Sequence, residues 1–390
     1  MAEKPDKYYD YNDRLSFLGD WYDFDSAFHK NFLIHFYPCD NSVEIFDTDL
    51  KRIFLKRAAC DGVGMKDMFV GNKVRIYGRQ IKITDYADCH TQKRIGKTKE
   101  HTFAILKPKA VEKLGEVISQ IEDKQFQICR MRMCNLTRKE ALDFYEFRKG
   151  DSFLPFMVEH LVSGPIVALE LVGDNAIERW RNVIGPKDPA EARKVAPESL
   201  RAIYGLETAS NGFHGSDDHD QAVRGACFFF PQGIGKKPPA STAQIDNSTC
   251  CIIKPHAIEE GKLGYILSAI MNSPKFKITA LQMIYLSTPN ADEFLEVYKG
   301  VVSDFHALLL SFVDGPCVVL EISAKQDGVK VQEEFRKFAG PSDSDIARQI
   351  RPNSLRGMFG VSKYKNAIHC TDLPEDTQLE LEYFFKILED

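Results

Sequence analysis

A chain of 390 residues, 44% of them hydrophobic, exceeds the size at which one core stops growing, so two or three folded domains are expected. Its 51 Lys and Arg against 56 Asp and Glu leave a net charge of −5, which offers no basic field for nucleic acid. No apolar run is long enough to cross a bilayer and the opening MAEKPDKYYDYNDR carries no signal-peptide core, so a cytoplasmic protein without membrane or nucleic-acid partners is expected. Ten cysteines, none in a CxxC pair, read as reduced, mostly buried small hydrophobes rather than a disulfide framework or a zinc site.

Residues 1–14 form a polar tail. From residue 15 to about 92, FLIHFYPCDNSVEIFD, RIFLKR and GNKVRIYGRQIKITDYAD alternate apolar and polar residues, with turns at Asp40-Asn41-Ser42 and at Gly78. That pattern predicts a small antiparallel β domain. His29, His35 and Cys39 lack metal-ligand spacing and are expected to pack. A basic connector, CHTQKRIGKTKE, follows and reads as a solvated hinge.

The remainder is written twice. HTFAILKPKAVEKLGEVI matches STCCIIKPHAIEEGKLGYIL, SGPIVALEL matches DGPCVVLEI, APESLRAIYG matches RPNSLRGMFG, and NGFHGSD at Asn211 matches NAIHCTD at Asn366. Each copy begins with an apolar strand ending in Lys-Pro. A helix follows, with Val111, Leu114, Val117, Ile118 and Ile121 in register in the first copy and Leu263, Ile266, Leu267 and Ile270 in the second. The β-branched, glycine-bounded run after each Gly-Pro predicts a buried strand. Strands alternating with helices predict an α+β sandwich with helices on one face of the sheet, copy one spanning 101–232 and copy two 248–390. The Pro-, Gly- and Ser-rich stretch between them, 233–247, reads as a linker. His219, in the acidic DDHD, is expected on a charged surface loop.

Each copy supplies a strand-end Lys, a Tyr, two Arg and the Asn-x-x-His block. Several cations around a neutral imidazole suit phosphoryl transfer, the cations spreading the charge of the group that the imidazole attacks in line. These motifs resemble those of the nucleoside diphosphate kinases, whose signature is Asn-x-x-His-Gly-Ser-Asp, and the resemblance covers both copies. It implies two ferredoxin-like βαββαβ domains and a ping-pong reaction in which ATP phosphorylates the histidine and the histidine phosphorylates a nucleoside diphosphate. Magnesium is then carried by the nucleotide phosphates, with no protein metal site. Transferred onto matching positions, the resemblance makes His214 and His369 the nucleophiles. In copy one it places Lys107 and Tyr145 at the phosphates, Phe153 on the base, Arg181 and Arg201 as clamps, Asn211 at the sugar and Ser216 beside the histidine's carboxylate partner. In copy two the corresponding residues are Lys254, Tyr298, Arg336, Ser342, Arg356, Asn366, Thr371 and Glu380.

The departures are Lys109, Lys187 and Gly225 in copy one, the last standing where the family has a Glu that orients the histidine. In copy two they are His256, Cys370 and a segment two residues shorter after Tyr298, where Phe305 is the candidate aromatic. Because Cys370 is expected to crowd the turn where phosphate needs room, copy one is expected to be the better catalyst. The leading β domain resembles the DM-ten module of ciliary proteins, on WYDF, IHFYPCDNSVEIFD and GNKVRIYGRQ. That resemblance implies tubulin, axonemal doublet proteins or a centrosomal γ-tubulin complex as partners, and a place on the cytoskeleton at the cilium axoneme, centrosome or basal body. A mainly structural role there, with weak or absent kinase activity, is the alternative expectation.

Overall fold

The computed structural model describes residues 13–24, 26–96, 99–231 and 237–388. Most of the expected N-terminal tail, Lys97 of the basic connector and the first part of the linker therefore lie outside the described residues. The chain divides into two compact units, Met1–Lys99 and Glu100–Asp390.

The first unit is an antiparallel sheet of β1 (Leu15–Asp23), β2 (Phe28–Tyr37), β3 (Ser42–Asp47), β4 (Arg52–Ala59), β5 (Lys73–Ile76) and β6 (Arg79–Tyr86), in the order β4-β3-β2-β1-β6-β5. Alternation puts Leu15, Phe17, Ile34, Phe36, Val43, Ile45, Ile81 and Ile83 on one face, where they form the core. Helix α1 (Cys89–Ile95), capped by the Asp88 carboxylate, adds Ile95 to it. The β5–β6 hairpin turns on Tyr77 and Gly78, both at positive φ, as a two-residue turn between twisted strands requires. His35 bonds Ser16, His29 bonds Asp20, and Cys39 receives Arg57, so the three expected packing residues have separate partners.

In the second unit copy one contributes β7 (Glu100–Leu106), β8 (Gln127–Cys134), β9 (Ile166–Gly173) and β10 (Phe213–Gly215), with helices α2 (Leu114–Asp123), α3 (Arg138–Phe144), α4 (Leu154–Leu161), α5 (Ala176–Ile184) and α6 (His219–Phe229). Copy two repeats the pattern with β11 (Ser248–Ile253), β12 (Phe276–Ile284), β13 (Cys317–Ala324) and β14 (Ile368–Cys370). Its helices are α7 (Leu263–Asn272), α8 (Thr288–Phe294), α9 (Phe305–Val313), α10 (Val331–Ala339) and α11 (Thr377–Glu382). Within each copy the last strand lies beside the first and the third separates the first from the second, which is the ferredoxin-like βαββαβ order. Helices cover both faces of the sheet rather than the one expected from sequence. Leu106 and Leu169 face α2 and α5, while Phe103, Ile105 and Ala168 face α3, α4 and α6. A near-continuous apolar run such as Ile166–Gly173, buried at every position and interrupted only by Glu170, is the signature of a sheet covered on both sides.

The copies share one sheet. Strands β8 and β12 meet at Arg132 and Gln282, whose side chains also hydrogen-bond, and eight strands run in the order β10-β7-β9-β8-β12-β13-β11-β14. Above this seam α2 and α7 pack at glycines: a Cβ on Gly115 would lie 2.3 Å from the Ser268 amide nitrogen, and one on Gly264 would lie 2.2 Å from that of Ser119. Gly115 and Gly264 are equivalent positions, as are Ser119 and Ser268, so the contact is reciprocal in the manner of a two-fold dimer. One part is not symmetric. Glu122 accepts from the Leu263 and Gly264 amides at the start of α7, whereas the equivalent residue in copy two is Met271. Burial pushes the Glu122 carboxyl up to about 7, and those amides hold it down.

The expected linker is bound along the sheet from residue 237 onward. Asn135 donates to the Ala240 carbonyl, Ser241 bridges Cys134, and the amides of Gln244 and Ile245 donate to Glu321. Glu321 is fully buried, and these donors, with Ser248 and Thr279, are what an enclosed carboxylate needs. The Pro and Gly content marks the segment as a linker without showing such an anchor.

Replacing Gly115 with Ala is expected to destabilise the second unit by about 1–3 kcal/mol, since the new methyl meets backbone that cannot swing aside. A fall in Tm of the full chain, absent in a Gly64→Ala control whose added Cβ would meet nothing nearer than 3.8 Å, measures it.

Candidate functional site

Strand β10 has three residues, and its pairing sets the site. His214 lies opposite Ile105, and just beyond, the Lys107 amide donates to the Gly212 carbonyl at 2.8 Å. Gly212 has φ +82°, which bends the chain from the preceding loop into the strand. The imidazole enters the core face between rings, with centroids 5.2 Å from Phe144, 6.1 Å from Tyr145 and 6.2 Å from Phe103. Copy two repeats the arrangement: His369 lies opposite Ile252, with Phe294 at 5.3 Å, Phe312 at 6.0 Å and Tyr298 at 6.4 Å.

Around His214 stand cations. Lys107, 3% exposed, donates to the Asn211 carbonyl oxygen at 2.9 Å, and Asn211 donates onward to the Lys187 carbonyl. Burial brings the Lys107 amine down to about 7, helped by Arg201 and Arg148. Arg201 is spread over the Gly185 and Phe213 carbonyls while its Nε has no partner, and burial lowers it to about 10. Burial, then Lys107, Arg201, Arg148 and Lys187, holds His214 well below its ordinary value. The imidazole is therefore neutral with a nitrogen lone pair available. The buried Tyr145 hydroxyl also lacks a partner. Arg181 is half-exposed beside Asp217 at 3.6 Å, and Phe153 stands 53% exposed at the start of α4. Lys187 is exposed, and Lys109 pairs with Glu112 away from the histidine. His219 begins α6, capped by Asp218, rather than lying in a loop.

Gly225 has a physical reason. A Cβ there would lie 2.3 Å from the Phe103 ring. The equivalents in copy two are Cys250 and Glu380, whose side chains lie against one another. Where the first strand carries a small thiol a carboxylate fits beneath the histidine; where it carries phenylalanine only glycine fits. Accordingly Ser216 donates to the Phe103 carbonyl at 3.4 Å, whereas Thr371 donates to Glu380 at 2.8 Å and Glu380 meets His369 Nε2 at 3.3 Å.

Cys370 does not crowd the cleft. The Cβ of the residue after the histidine points to the opposite face of the strand: on Gly215 it would strike Trp180 and Ile184 at 2.8 and 2.9 Å. Copy two has the smaller Phe335 and Ala339 there, and Cys370 is buried in the space they leave. The expected obstruction is overturned by strand alternation, which sends neighbouring side chains to opposite faces. Cys370 does accept from Arg356 Nη2 at 3.7 Å, completing a set in which the other nitrogens donate to Ile368 and Gly340.

The rest of copy two is more closed. Lys254, its amine lowered by burial to about 7, donates to Ser311 and to the Tyr364 carbonyl rather than to Asn366, whose side-chain oxygen is buried and unpartnered. Asn366 donates to the Ser342 carbonyl. Tyr298 does not stand in the place of Tyr145: it ends the turn Glu296–Tyr298 as Arg148 ends Glu146–Arg148, and buried Leu295 takes the position of Tyr145. From there Tyr298 donates to Asp372 at 2.6 Å, and Arg336 holds the same carboxylate. Ser303, before α9, is joined to Tyr364 and Lys363 across the cleft. Phe305 is half-buried against the core, so copy two lacks an open ring in the place of Phe153. His256 accepts the Ala367 amide, and burial beside Lys254 lowers its imidazole to about 4. Among the described residues no cluster of three His, Cys, Asp or Glu side chains is suited to a metal.

Two ferredoxin-like domains, each carrying a histidine on its last strand with a buried lysine and arginine facing it, define a nucleoside diphosphate kinase-type protein. The sequence pattern of that family, nucleoside diphosphate kinase, matches residues 100–234 and 247–389, and the chain belongs to it. It is 44% identical to nucleoside diphosphate kinase homolog 7 of Rattus norvegicus over 378 residues, 97% of this chain and 94% of the relative. It is 41% identical to the nucleoside diphosphate kinase of Aquifex aeolicus over 133 residues, 34% of this chain and 94% of that enzyme. The crystal structure of the Aquifex aeolicus nucleoside diphosphate kinase superposes with a TM-score of 0.33 at 41% identity, over 34% of this chain and 95% of that one.

Arg148 and the Phe103–Gly225 pair are site features that the sequence reading missed. For Arg148 the available signal was its place opposite Tyr298 in the repeat, FYEFRKG against FLEVYKG; for Phe103, its place opposite Cys250. Gly225→Glu alone is expected to lower stability by about 3 kcal/mol or more, by overpacking and by burying a carboxylate. Phe103→Cys with Gly225→Glu is expected to recover at least half of that loss in Tm, because the two changes reproduce the arrangement of copy two.

Proposed function

We propose that this protein transfers the γ-phosphate of ATP to nucleoside diphosphates through a phosphohistidine, with copy one as the principal catalyst. The observation that carries the reading is the neutral, buried His214 facing Lys107, Arg201 and the unpartnered Tyr145 hydroxyl. Buried donors without partners persist where a ligand supplies the acceptors, and cations with one hydroxyl donor match a polyphosphate. In the first half-reaction the imidazole lone pair bonds to the γ-phosphorus as the bond to the bridging oxygen breaks, and ADP leaves with that electron pair. In the second, an incoming diphosphate oxygen takes the phosphoryl group and the imidazole regains its lone pair. Lys107, Arg181 and Arg201 hold the phosphates and offset their charge. Asn211 reaches the sugar, Phe153 stacks on the base, and Ser216 steadies the strand behind His214. Mg2+ arrives with the nucleotide phosphates.

In copy two Lys254, Arg336, Ser342, Arg356, Asn366, Thr371 and Glu380 fill the parallel roles around His369, while Tyr298, in the place of Arg148, is engaged with Asp372. Glu380 faces Nε2 and so leaves Nδ1 as the free nitrogen. The contacts of Ser303 with Tyr364 and Lys363 must open before a nucleotide enters. That closure favours a second reading, in which copy two serves chiefly as a rigid structural half. The leading β unit, by its resemblance to the DM-ten module, tethers the enzyme to tubulin or doublet proteins of the axoneme, or to the centrosomal γ-tubulin complex. Under the alternative, the whole chain is mainly an axonemal structural protein. Retention in salt-washed axonemes with His214 unlabelled would favour it.

Incubation with γ-labelled ATP is expected to give an acid-labile, base-stable label, and His214→Ala to remove most of it, leaving less than about a tenth. Label that survives both His214→Ala and His369→Ala would sink the nucleophile assignment. The pH dependence follows from Lys107. With an amine near 7, bound phosphate stabilises the protonated form, so ADP binding takes up protons at pH 7–8 and weakens as pH rises toward 9. Calorimetry in buffers of different ionisation enthalpy reads that uptake directly.

A further inference from the structure

We propose that His256 is a positioning residue for His369: by accepting the Ala367 amide it holds the turn that leads into the histidine's strand. The inference rests on the reading that His369 takes phosphate from a nucleotide. Ala367 stands just before the strand Ile368–Cys370 and has φ +67°, a left-handed conformation that costs an L-residue free energy and costs glycine little. Both polar backbone groups of Ala367 are tied to one short segment. The Lys254 amide donates to the Ala367 carbonyl at 2.9 Å, and the Ala367 amide donates to His256 Nε2 at 3.2 Å. Lys254 and His256 flank Pro255, so the turn is gripped from the end of the first strand, beside the lysine that serves the same cleft.

A backbone amide only donates, which fixes the tautomer of the ring: Nε2 carries no hydrogen and Nδ1 carries it. Burial, then the neighbouring Lys254 amine, brings the imidazole down to about 4, so the Nε2 lone pair is present at neutral pH. Nδ1 is buried without a partner, and among the described residues Nε2 alone ties the ring. Copy one makes the same turn without this contact. The matched residues are Lys109 and Gly212. The Lys109 amine pairs with Glu112 at 2.9 Å and has no lone pair to offer an amide, while Gly212 adopts φ +82° at no steric cost. A Cβ on Gly212 would meet nothing nearer than 3.8 Å, so the exchange of glycine for alanine is a matter of backbone conformation and not of space. The two positions therefore vary together, Lys with Gly in copy one and His with Ala in copy two. Glu380 orients the His369 ring through Nε2, His256 fixes the backbone that carries it, and both act on the position of the free Nδ1.

The test uses the full chain carrying His214→Ala, so that only copy two is labelled. His256→Lys, which installs the residue of copy one, is expected to lower the limiting rate of His369 labelling by ATP about tenfold, with the apparent KM changed less than about threefold. The nucleotide contacts stay, and only the aim of the nucleophile is lost. Adding Ala367→Gly is expected to bring the rate back to within about threefold of the parent, and Ala367→Gly alone to change it less than about threefold. Such a rescue by a residue without a Cβ is not expected of an imidazole that merely fills the core. His256→Gln, whose amide oxygen accepts in place of Nε2, is expected to keep at least about a third of the parent rate. An unchanged limiting rate in His256→Lys, or the same loss with Ala367→Gly present, would overturn the inference. If His369 takes no label in the parent, the kinase reading of copy two fails on its own, and nitrogen NMR of the His369 ring decides the role of His256. In the parent Glu380 holds Nε2 as the protonated nitrogen; ring shifts that move toward mixed tautomers in His256→Lys support the positioning role, and unchanged shifts reject it.

Discussion

The site in each copy hangs on one short antiparallel pairing, of a three-residue last strand with the end of the first strand. It is short enough to be bounded by a turn on one side and a helix cap on the other, yet it fixes both reacting partners. The first strand ends in the lysine and the last carries the histidine at its centre. The Lys107 amide bonded to Gly212, and the Lys254 amide bonded to Ala367, lock the register. A slip of one residue would turn His214 to the opposite face, into Trp180 and Ile184. Because the strand is buried on both faces, the imidazole also loses its water and so its affinity for a proton, which a nucleophile at neutral pH requires.

The same two-sided burial explains how the copies diverged. Side chains beneath the histidine and behind it change in compensating sets, Phe103 with Gly225 against Cys250 with Glu380, and Trp180, Ile184 and Gly215 against Phe335, Ala339 and Cys370. Each set fills nearly the same volume, as a close-packed interior demands. The chemical result differs all the same. Copy two has a carboxylate to orient its imidazole, while copy one surrounds its imidazole with rings and cations. Control of the ring's position by packing and control by hydrogen bonding are alternatives, and this chain contains both.

Much of this was legible in the sequence. The repeat, the Lys-Pro strand ends, the apolar Ile166–Gly173 and the Asn-x-x-His blocks placed the strands and the residues that line each cleft. The coverage of both sheet faces was less apparent, although a near-continuous apolar strand is its signature. The consequence of Cys370 was misjudged because a motif read as a string does not say to which face of a strand a residue belongs. The anchoring of the linker was not legible for a related reason: it depends on the buried Glu321, which lies far along the chain and in sequence is one acidic residue inside an apolar run. Arg148 was less apparent as a site residue because its counterpart in the repeat is Tyr298, so no shared cation marks the position.

Fusion into one chain bears on that asymmetry. In a dimer of identical subunits each side chain at the seam appears twice, so Glu122 opposite a second glutamate would set two half-buried carboxyls near one axis. Here the position opposite is Met271, and Glu122 alone caps the start of α7 with its burial cost incurred once. Gly115 and Gly264 keep the reciprocal backbone contact, since helix approach there demands the absence of a Cβ on both sides. The seam therefore retains symmetry where sterics impose it and abandons it where electrostatics penalise it. The clefts follow the same division: the paired strand and the buried lysine are common to both, while Arg148, Glu380 and the Ser303 contacts, each dependent on charge or hydrogen bonding, belong to one copy only.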